Sequence, residues 1–529
     1  MTQDAIYSSA AVAAPHSLAS LAGRDVLAQG GNAIEAMVAM AAVIPVVYPH
    51  MNAIGGDGFW LIREPKGRVR AIEACGFAGQ HATIDRYREL GYETIPPRGP
   101  NAALTVPGTI GGWALALEYA KSLGARLPLD VLLERAIKLA GDGAPVSASE
   151  ARYDPLKHPD LVAAPGWSAA YLMDGKPAQA GALRRQPRLA ATLQHLVDAG
   201  LDDFYRGDIA REIAADLERI GSPVTRADLK AYTARMREPL SLRLKNAIVY
   251  NTPAPTQGLA SLIMLGLYER LAPRSVEGFE HAHALVEGFK RAAHVRDRVC
   301  HDFDLATADF DALLSLAFLD AEAAKIDKKR AAPWPLPEDK GDTIWMGAID
   351  GAGLAVSFIQ SIYWEFGSGC VLDRTGVLMQ NRGLAFTLEP RGPRSLKPGR
   401  RPFHTLNPAM AVFADGRVLS YGSMGGDGQP QFQAQTFTRI ASGASLIDAV
   451  SAPRHRYGRA WGEPSLSVKV EESYDDAVAS ALAAAGHEIE RRPVAEADAF
   501  GHAGALRREL NGTVAAAHDP RSDGGAEGL

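Results

Sequence analysis

The chain has 529 residues, 47% of them hydrophobic and 22% charged, with 52 glycines and a net charge of −5. So small a charge, with no long run of lysine and arginine, excludes a polyanion-binding surface and with it a nucleic-acid partner. The longest apolar run, residues 36–48, is shorter than a membrane span and is interrupted by Pro45, so no membrane segment is expected. Cys75, Cys300 and Cys370 are an odd number without metal-ligand spacing, and a chain this large needs no disulfides. Residues 1–5 lack a basic stretch leading into an apolar one, so the expected location is the cytoplasm. No cofactor and no metal ion are expected.

In chain order, residues 11–16 read as a strand and 17–28 as a helix stopped by Gly30-Gly31-Asn32. A second, strongly apolar helix is expected over 33–44, ended by Pro45. Gly55-Gly56-Asp57-Gly58 then leads into a strand. A phosphate cradle would need a helix N-terminus after these glycines, so that role is rejected. Residues 68–74 form a further strand, and 114–123 and 129–142 are helices. Residues 190–237 are mostly helical, with Thr225 and Asp228 spaced close to a capping box. Pro253-Ala254-Pro255-Thr256-Gln257-Gly258 opens a helix over 259–271, and another spans 281–297. His281 and His283, two apart, do not share a helix face and are not a metal pair. Residues 327–342 are polar and proline-containing, an exposed linker. The stretch 391–401 is locally basic and reads as a solvated loop. Beyond residue 343 the chain is rich in strands and glycine, with one helix at 474–485.

The chemistry gathers around Thr343. Two strand-like runs, 344–349 and 354–361, flank a Gly351-Ala352-Gly353 turn as in a β-hairpin, and Thr343 stands at the head of the first. A threonine hydroxyl is a poor nucleophile unless a base is held beside it. If the chain were cut before Thr343, the freed α-amine would be that base, with an ordinary pKa of about 7.7–8.0. Downstream come Arg401-Pro402-Phe403-His404-Thr405-Leu406-Asn407-Pro408 and then Tyr421-Gly422-Ser423-Met424-Gly425-Gly426-Asp427-Gly428.

This order resembles the small subunit of the gamma-glutamyltransferase family of N-terminal-nucleophile hydrolases. Gly30-Gly31-Asn32-Ala33, residues 48–60, Val106 to Trp113 and the tail 519–526 carry the likeness over nearly the whole chain. The resemblance implies an α/β (α+β) fold, a four-layer αββα sandwich of two sheets between two helical layers. It implies a precursor that cuts itself into a large subunit, 1–342, and a small catalytic subunit, 343–529, which stay together as a heterodimer; a dimer of such heterodimers is left open. Thr343 is then the nucleophile. Ser361 stands where the family has a second threonine bonded to it, and Gly425 and Gly426 supply the oxyanion hole.

The departures concern the substrate. The family's carboxylate-binding arginine, from an Asp-x-Arg-Glu motif, falls on Cys75, and its paired serines fall on His404 and Thr405. The groups that hold an α-amine fall on Tyr363, Arg382 and Ala385. No acceptor remains for an ammonium, and a guanidinium stands in its place. Arg382, helped by His404 and Thr405, suits a carboxylate without an α-amine, and the bulk of Tyr363 and Trp364 suits a small amide. Among family branches this is similar to the oxamate amidohydrolase-like group. A genuine gamma-glutamyltransferase or glutathione hydrolase, a glutaryl-type (cephalosporin) acylase, and an unprocessed, inactive binding protein remain as other readings.

Overall fold

Two seven-stranded sheets form the centre of a computed structural model that describes residues 4–333, 342–458 and 465–529. The first runs, edge to edge, Gly525–Gly528, Ala11–Ala14, Asp342–Ile349, Ala355–Tyr363, Asp57–Arg63, Val69–Ala74 and Arg235–Arg237. The second runs Ala5–Tyr7, Val514–His518, Ala503–Arg508, Val418–Ser423, Ala409–Phe413, Ala247–Asn251 and Leu240–Arg243. Every pairing in both is antiparallel. Each sheet draws strands from both sides of Thr343.

Alternation of side chains along a strand sorts the core into layers. In the strand headed by Thr343, Ile344, Met346 and Ala348 face the helices Ser17–Ala28, Ala33–Val47, Thr109–Lys121 and Leu129–Asp142. Trp345 and Ile349 face the opposite way, into the space between the sheets, with Phe59, Ile359, Met410 and Leu506. The second sheet is covered on its outer face by Gly258–Leu271, Phe279–Val299 and Gln429–Ala441. The result is the expected αββα sandwich. Trp345 fills the middle because three glycines make room: a Cβ on Gly422 or Gly504 would lie 2.1 or 2.2 Å from the indole, and one on Gly347 2.8 Å. The indole N–H donates to Ser357 Oγ at 2.9 Å, fixing the strand two residues beyond Thr343.

Four sequence expectations change. The helix begun at Ala33 runs through Pro45 to Val47. Proline removes one hydrogen bond and normally breaks a helix interior, but here it falls in the last turn, within a helix buried on every side. The helix expected at 114–123 starts at Thr109 and takes in Gly111 and Gly112, which let it pack closely on Tyr232 and Ala74. The C-terminal part carries the helices Gln429–Ala441 and Leu446–Ser451 besides Asp476–Ala484. The first part of the expected free linker is pinned: Ala331 N–H donates to Ala485 O at 2.8 Å, and Ala332 O accepts from Lys290 Nζ at 2.9 Å. The rest of it, 334–341, lies outside the described residues. Among those described, no helix is long and apolar enough to cross a membrane.

Candidate active site

Thr343 is buried and, by strand alternation, turned toward the space between the sheets. It follows Asp342 in one continuous strand, so the arrangement is that of the uncut chain. Pairing with the neighbouring strand is irregular at this end: Asp342 faces Tyr363, and Ile344 faces Gln360. Thr343 therefore lies opposite two residues, Ser361 and Ile362, in a bulge of the kind that re-aims side chains beside a site. Thr343 Oγ1 donates to Ser361 Oγ at 3.3 Å, and the Tyr363 N–H donates to the same oxygen at 2.8 Å. Gly56 packs against Ser361 so closely that a Cβ would come 2.2 Å from its carbonyl oxygen. That contact accounts for Gly56 of the early motif, while Gly55 packs equally closely on Leu378, whose carbonyl oxygen a Cβ would approach to 2.1 Å.

Tyr363 leaves the bulge with φ +84°, a strained value for an aromatic residue. Its ring lies under Arg382, whose guanidinium carbon is 3.7 Å from the ring centroid. Arg382, buried, donates from Nη2 to Thr405 Oγ1 at 3.2 Å. Tyr363 also lines, with Trp364, Pro97, Leu384, Ala385 and Phe386, a cavity of about 800 Å³.

Gly425 (φ +119°) and Gly426 (φ +52°) turn the strand Val418–Ser423 into the short 3-10 turn Gly426–Gly428 and then the helix Gln429–Ala441. The start of a helix carries partial positive charge on its backbone N–H groups, which suits an oxyanion. A residue without an assigned role ties this turn to the pocket. Gln257 Nε2 donates to Thr405 O at 2.7 Å and to Gly426 O at 2.8 Å, while its Oε1 accepts from Arg296 Nη1 at 2.8 Å. Arg296 Nη1 in turn donates to Asp427 Oδ1 at 2.6 Å. Thr343, Ser361, Tyr363, Arg382, Thr405, Gln257 and Gly426 thus form one unbroken series of contacts. Nothing in the motif around Gln257 distinguishes it from a helix-opening residue, so sequence reasoning had no signal for it.

His404 is placed differently from a carboxylate helper. Its Nε2 faces Asp57 Oδ2 at 3.4 Å, and its ring meets Phe59 edge-on at 5.0 Å. Burial, then Arg382 and Arg401, hold the imidazole well below its ordinary pKa, so it is neutral. Asp57 Oδ1 accepts from Gly76 N–H at 3.1 Å and Gly108 N–H at 3.0 Å. Burial nevertheless outweighs these bonds and the nearby Arg382, raising its pKa to about 7. The contact is therefore one between a neutral imidazole and a carboxyl group that titrates near neutrality, rather than a full ion pair. Arg401, expected in a solvated basic loop, is buried and paired with Glu73 Oε1 at 3.0 Å. Cys75 is a buried free thiol whose pKa burial pushes up, so it offers no thiolate.

Among the described residues one group has the side chains of a metal site, away from Thr343: His283, Glu287 and His487. Its charges are already closed. Lys290 Nζ lies 2.7 Å from Glu287 Oε1, and the two imidazoles hydrogen-bond to each other at 2.9 Å. His281 turns instead to the Tyr268 hydroxyl at 2.9 Å.

A hydroxyl heading an inner strand of an αββα sandwich, beside a second hydroxyl, is the architecture of the N-terminal-nucleophile hydrolases. Within that class the chain belongs to the gamma-glutamyltranspeptidase family, whose sequence model matches residues 19–529. It is 48% identical to the oxamate amidohydrolase proenzyme of Klebsiella pneumoniae over 97% of both chains. It is 36% identical to the glutathione hydrolase-like YwrD proenzyme of Bacillus subtilis over the full length of each. A cephalosporin acylase from Bacillus halodurans shares its fold with a TM-score of 0.91 at 31% identity, over 100% of this chain and 97% of that one. The chain is accordingly an amide-cleaving hydrolase or transferase, and these curated relatives are proenzymes.

Proposed function

We propose that the chain matures by cutting itself between Asp342 and Thr343 and then hydrolyses the amide of a small, carboxylate-bearing, oxamate-like substrate. The observation that carries the substrate class is Arg382, buried on the Tyr363 ring at 3.7 Å and bonded to Thr405 at 3.2 Å, with a neutral His404 nearby. A buried guanidinium with a fixed fork pairs with a carboxylate and repels an α-ammonium. In this reading the α-amine of Thr343 accepts the hydroxyl proton, and Oγ1 attacks the amide carbon. Ser361 holds the hydroxyl in place, and the Gly425–Gly426 turn meets the oxyanion. Collapse to the ester expels ammonia or an amine, which takes the proton, and water then releases the acid. No cofactor is needed. The large and small subunits remain a heterodimer because each contributes strands to both sheets. Three buried, unpaired cysteines fit a cytoplasmic setting.

A second reading is favoured by the cavity of about 800 Å³ beside Tyr363, which has room for a longer carboxylate-bearing acyl group of the glutaryl type. The deciding experiment assays oxamate, a glutaryl amide and a gamma-glutamyl anilide side by side, with wild type and Arg382→Ala. Oxamate turnover lost in Arg382→Ala, with self-cleavage intact, is expected. Efficient, Arg382-independent turnover of the anilide would overturn the proposal.

A further inference from the structure

Asp57 has no part in the hydrolysis just described, yet it is built into the same site. In the sheet it is the register partner of Ser361, so both side chains leave the same face. It is fully buried, its Oδ1 is held by two backbone N–H groups, and its Oδ2 faces His404. The charge on Arg382 and the Gln380 amide are near enough to act on it.

We propose that Asp57 is a specificity-determining residue that takes up a proton when the substrate carboxylate engages Arg382, so that anionic substrate and proton bind together. The inference rests on the reading of Arg382 as the carboxylate anchor. Above about pH 7, before substrate arrives, an ionised Asp57 balances the Arg382 cation. A second carboxylate would leave two anions on one buried cation, and like charges in a desolvated site are relieved by protonating one of them. The other groups facing Asp57 cannot take that role. His404 is held neutral by burial and by two arginines, and a second cation there would oppose Arg382. Cys75, Tyr205 and Tyr232 are kept protonated by burial already. Asp57 is poised for the exchange, since its pKa is raised to about 7 even without a ligand.

The test uses the mature, self-cleaved enzyme and pyruvate, in which a methyl group replaces the amide nitrogen of oxamate. The inhibition constant of pyruvate and the KM for oxamate are measured from pH 6 to 9, with proton uptake followed by calorimetry in two buffers of different ionisation enthalpy. In wild type both constants should rise steeply above pH 7, approaching tenfold per pH unit, with close to one proton taken up per pyruvate at pH 8. Asp57→Asn, which keeps an acceptor for the Gly76 and Gly108 N–H groups, should flatten both slopes and abolish the uptake. A flat wild-type profile overturns the proposal whether or not the variant folds. A slope that survives in Asp57→Asn but vanishes in His404→Gln moves the proton to His404 and also overturns it. If pyruvate does not inhibit, or Arg382→Ala binds it as well as wild type does, the carboxylate anchor itself has failed and this inference falls with it. Arg382-dependent binding without a pH slope refutes Asp57 alone.

Discussion

The hydroxyl of Thr343 lies 3.3 Å from that of Ser361 across a bulge in which one residue faces two. Ser361 also accepts the Tyr363 N–H, so a single oxygen fixes both the Thr343 hydroxyl and the strained backbone that carries the Arg382 platform.

Removing either hydroxyl separates these roles. Thr343→Ala should stay one 56.3 kDa band on a denaturing gel and be inactive. Wild type should divide in the ratio of 342 to 187 residues, into pieces of about 36 and about 20 kDa. Ser361→Ala strands a buried N–H and frees the Thr343 hydroxyl to rotate. The stranded N–H should cost about 1–3 kcal/mol of stability, and the loss of positioning should lower kcat about 10- to 100-fold. Ser361→Thr should restore most of it. A Ser361→Ala enzyme with wild-type kcat would remove Ser361 from the mechanism.

Gln257 is the next position to test. Gln257→Leu leaves the Thr405 and Gly426 carbonyls without their side-chain donor, at about 1–3 kcal/mol for each buried group. Gln257→Glu keeps an acceptor for Arg296 but cannot donate. Both should lower stability, measured by urea unfolding in the uncut Thr343→Ala background. In the mature enzyme both should lower kcat more than KM, because the glycine turn loses its tie to the pocket. Equal loss in the two parameters would assign Gln257 to packing alone.

The two glycines of the turn should not respond alike. At Gly425, φ is +119° and an added Cβ would sit 2.7 Å from Phe432 Cε2. At Gly426, φ is +52°, a left-handed conformation that costs another residue only about 1–2 kcal/mol. Gly425→Ala should therefore abolish measurable amide hydrolysis, while Gly426→Ala keeps a tenth or more. Rates of hydrolysis for the two purified variants decide the point, and the reverse order would refute this geometry of the turn.

Acid should destabilise the chain through its buried imidazoles. Burial lowers the pKa of His50 and of His455 to about 3. The unfolded chain protonates these groups near pH 6.5, before the folded chain can. Their contribution is therefore present above about pH 6.5 and lost as the pH falls toward 3, by about 1.4 kcal/mol per pH unit for each. Urea unfolding of the uncut Thr343→Ala chain between pH 7 and 5 should show this slope, and adding His455→Gln should reduce it. An unchanged slope would place the acid sensitivity elsewhere.

The hairpin 342–363 and most of the outer helices were legible because apolar alternation and helix stops are local signals, and the layered architecture was legible through the resemblance in motif order. The helix Gln429–Ala441 was not. Gln431, Gln433 and Gln435 are buried in it because each amide donates to a distant carbonyl, those of Tyr457, Asn407 and His455, and no periodicity announces such partners. The site divides the same way. Thr343, Ser361, Arg382 and the two glycines sit in recognisable motifs. Asp57 and Gln257 matter through groups about 150 to 350 residues away, which only the folded chain brings to them.

The two sheets interleave strands from before and after Thr343: Ala11–Ala14 lies between Gly525–Gly528 and Asp342–Ile349, and Ala247–Asn251 pairs with Ala409–Phe413. Such an order is readily reached by one continuous polypeptide and poorly by two. A molecule cut after it has folded cannot retrace its path: once denatured, the pieces would have to find one another at a concentration-dependent rate while exposing unpaired strand edges. The lifetime of the cut protein is then set by its rate of opening rather than by a folding equilibrium.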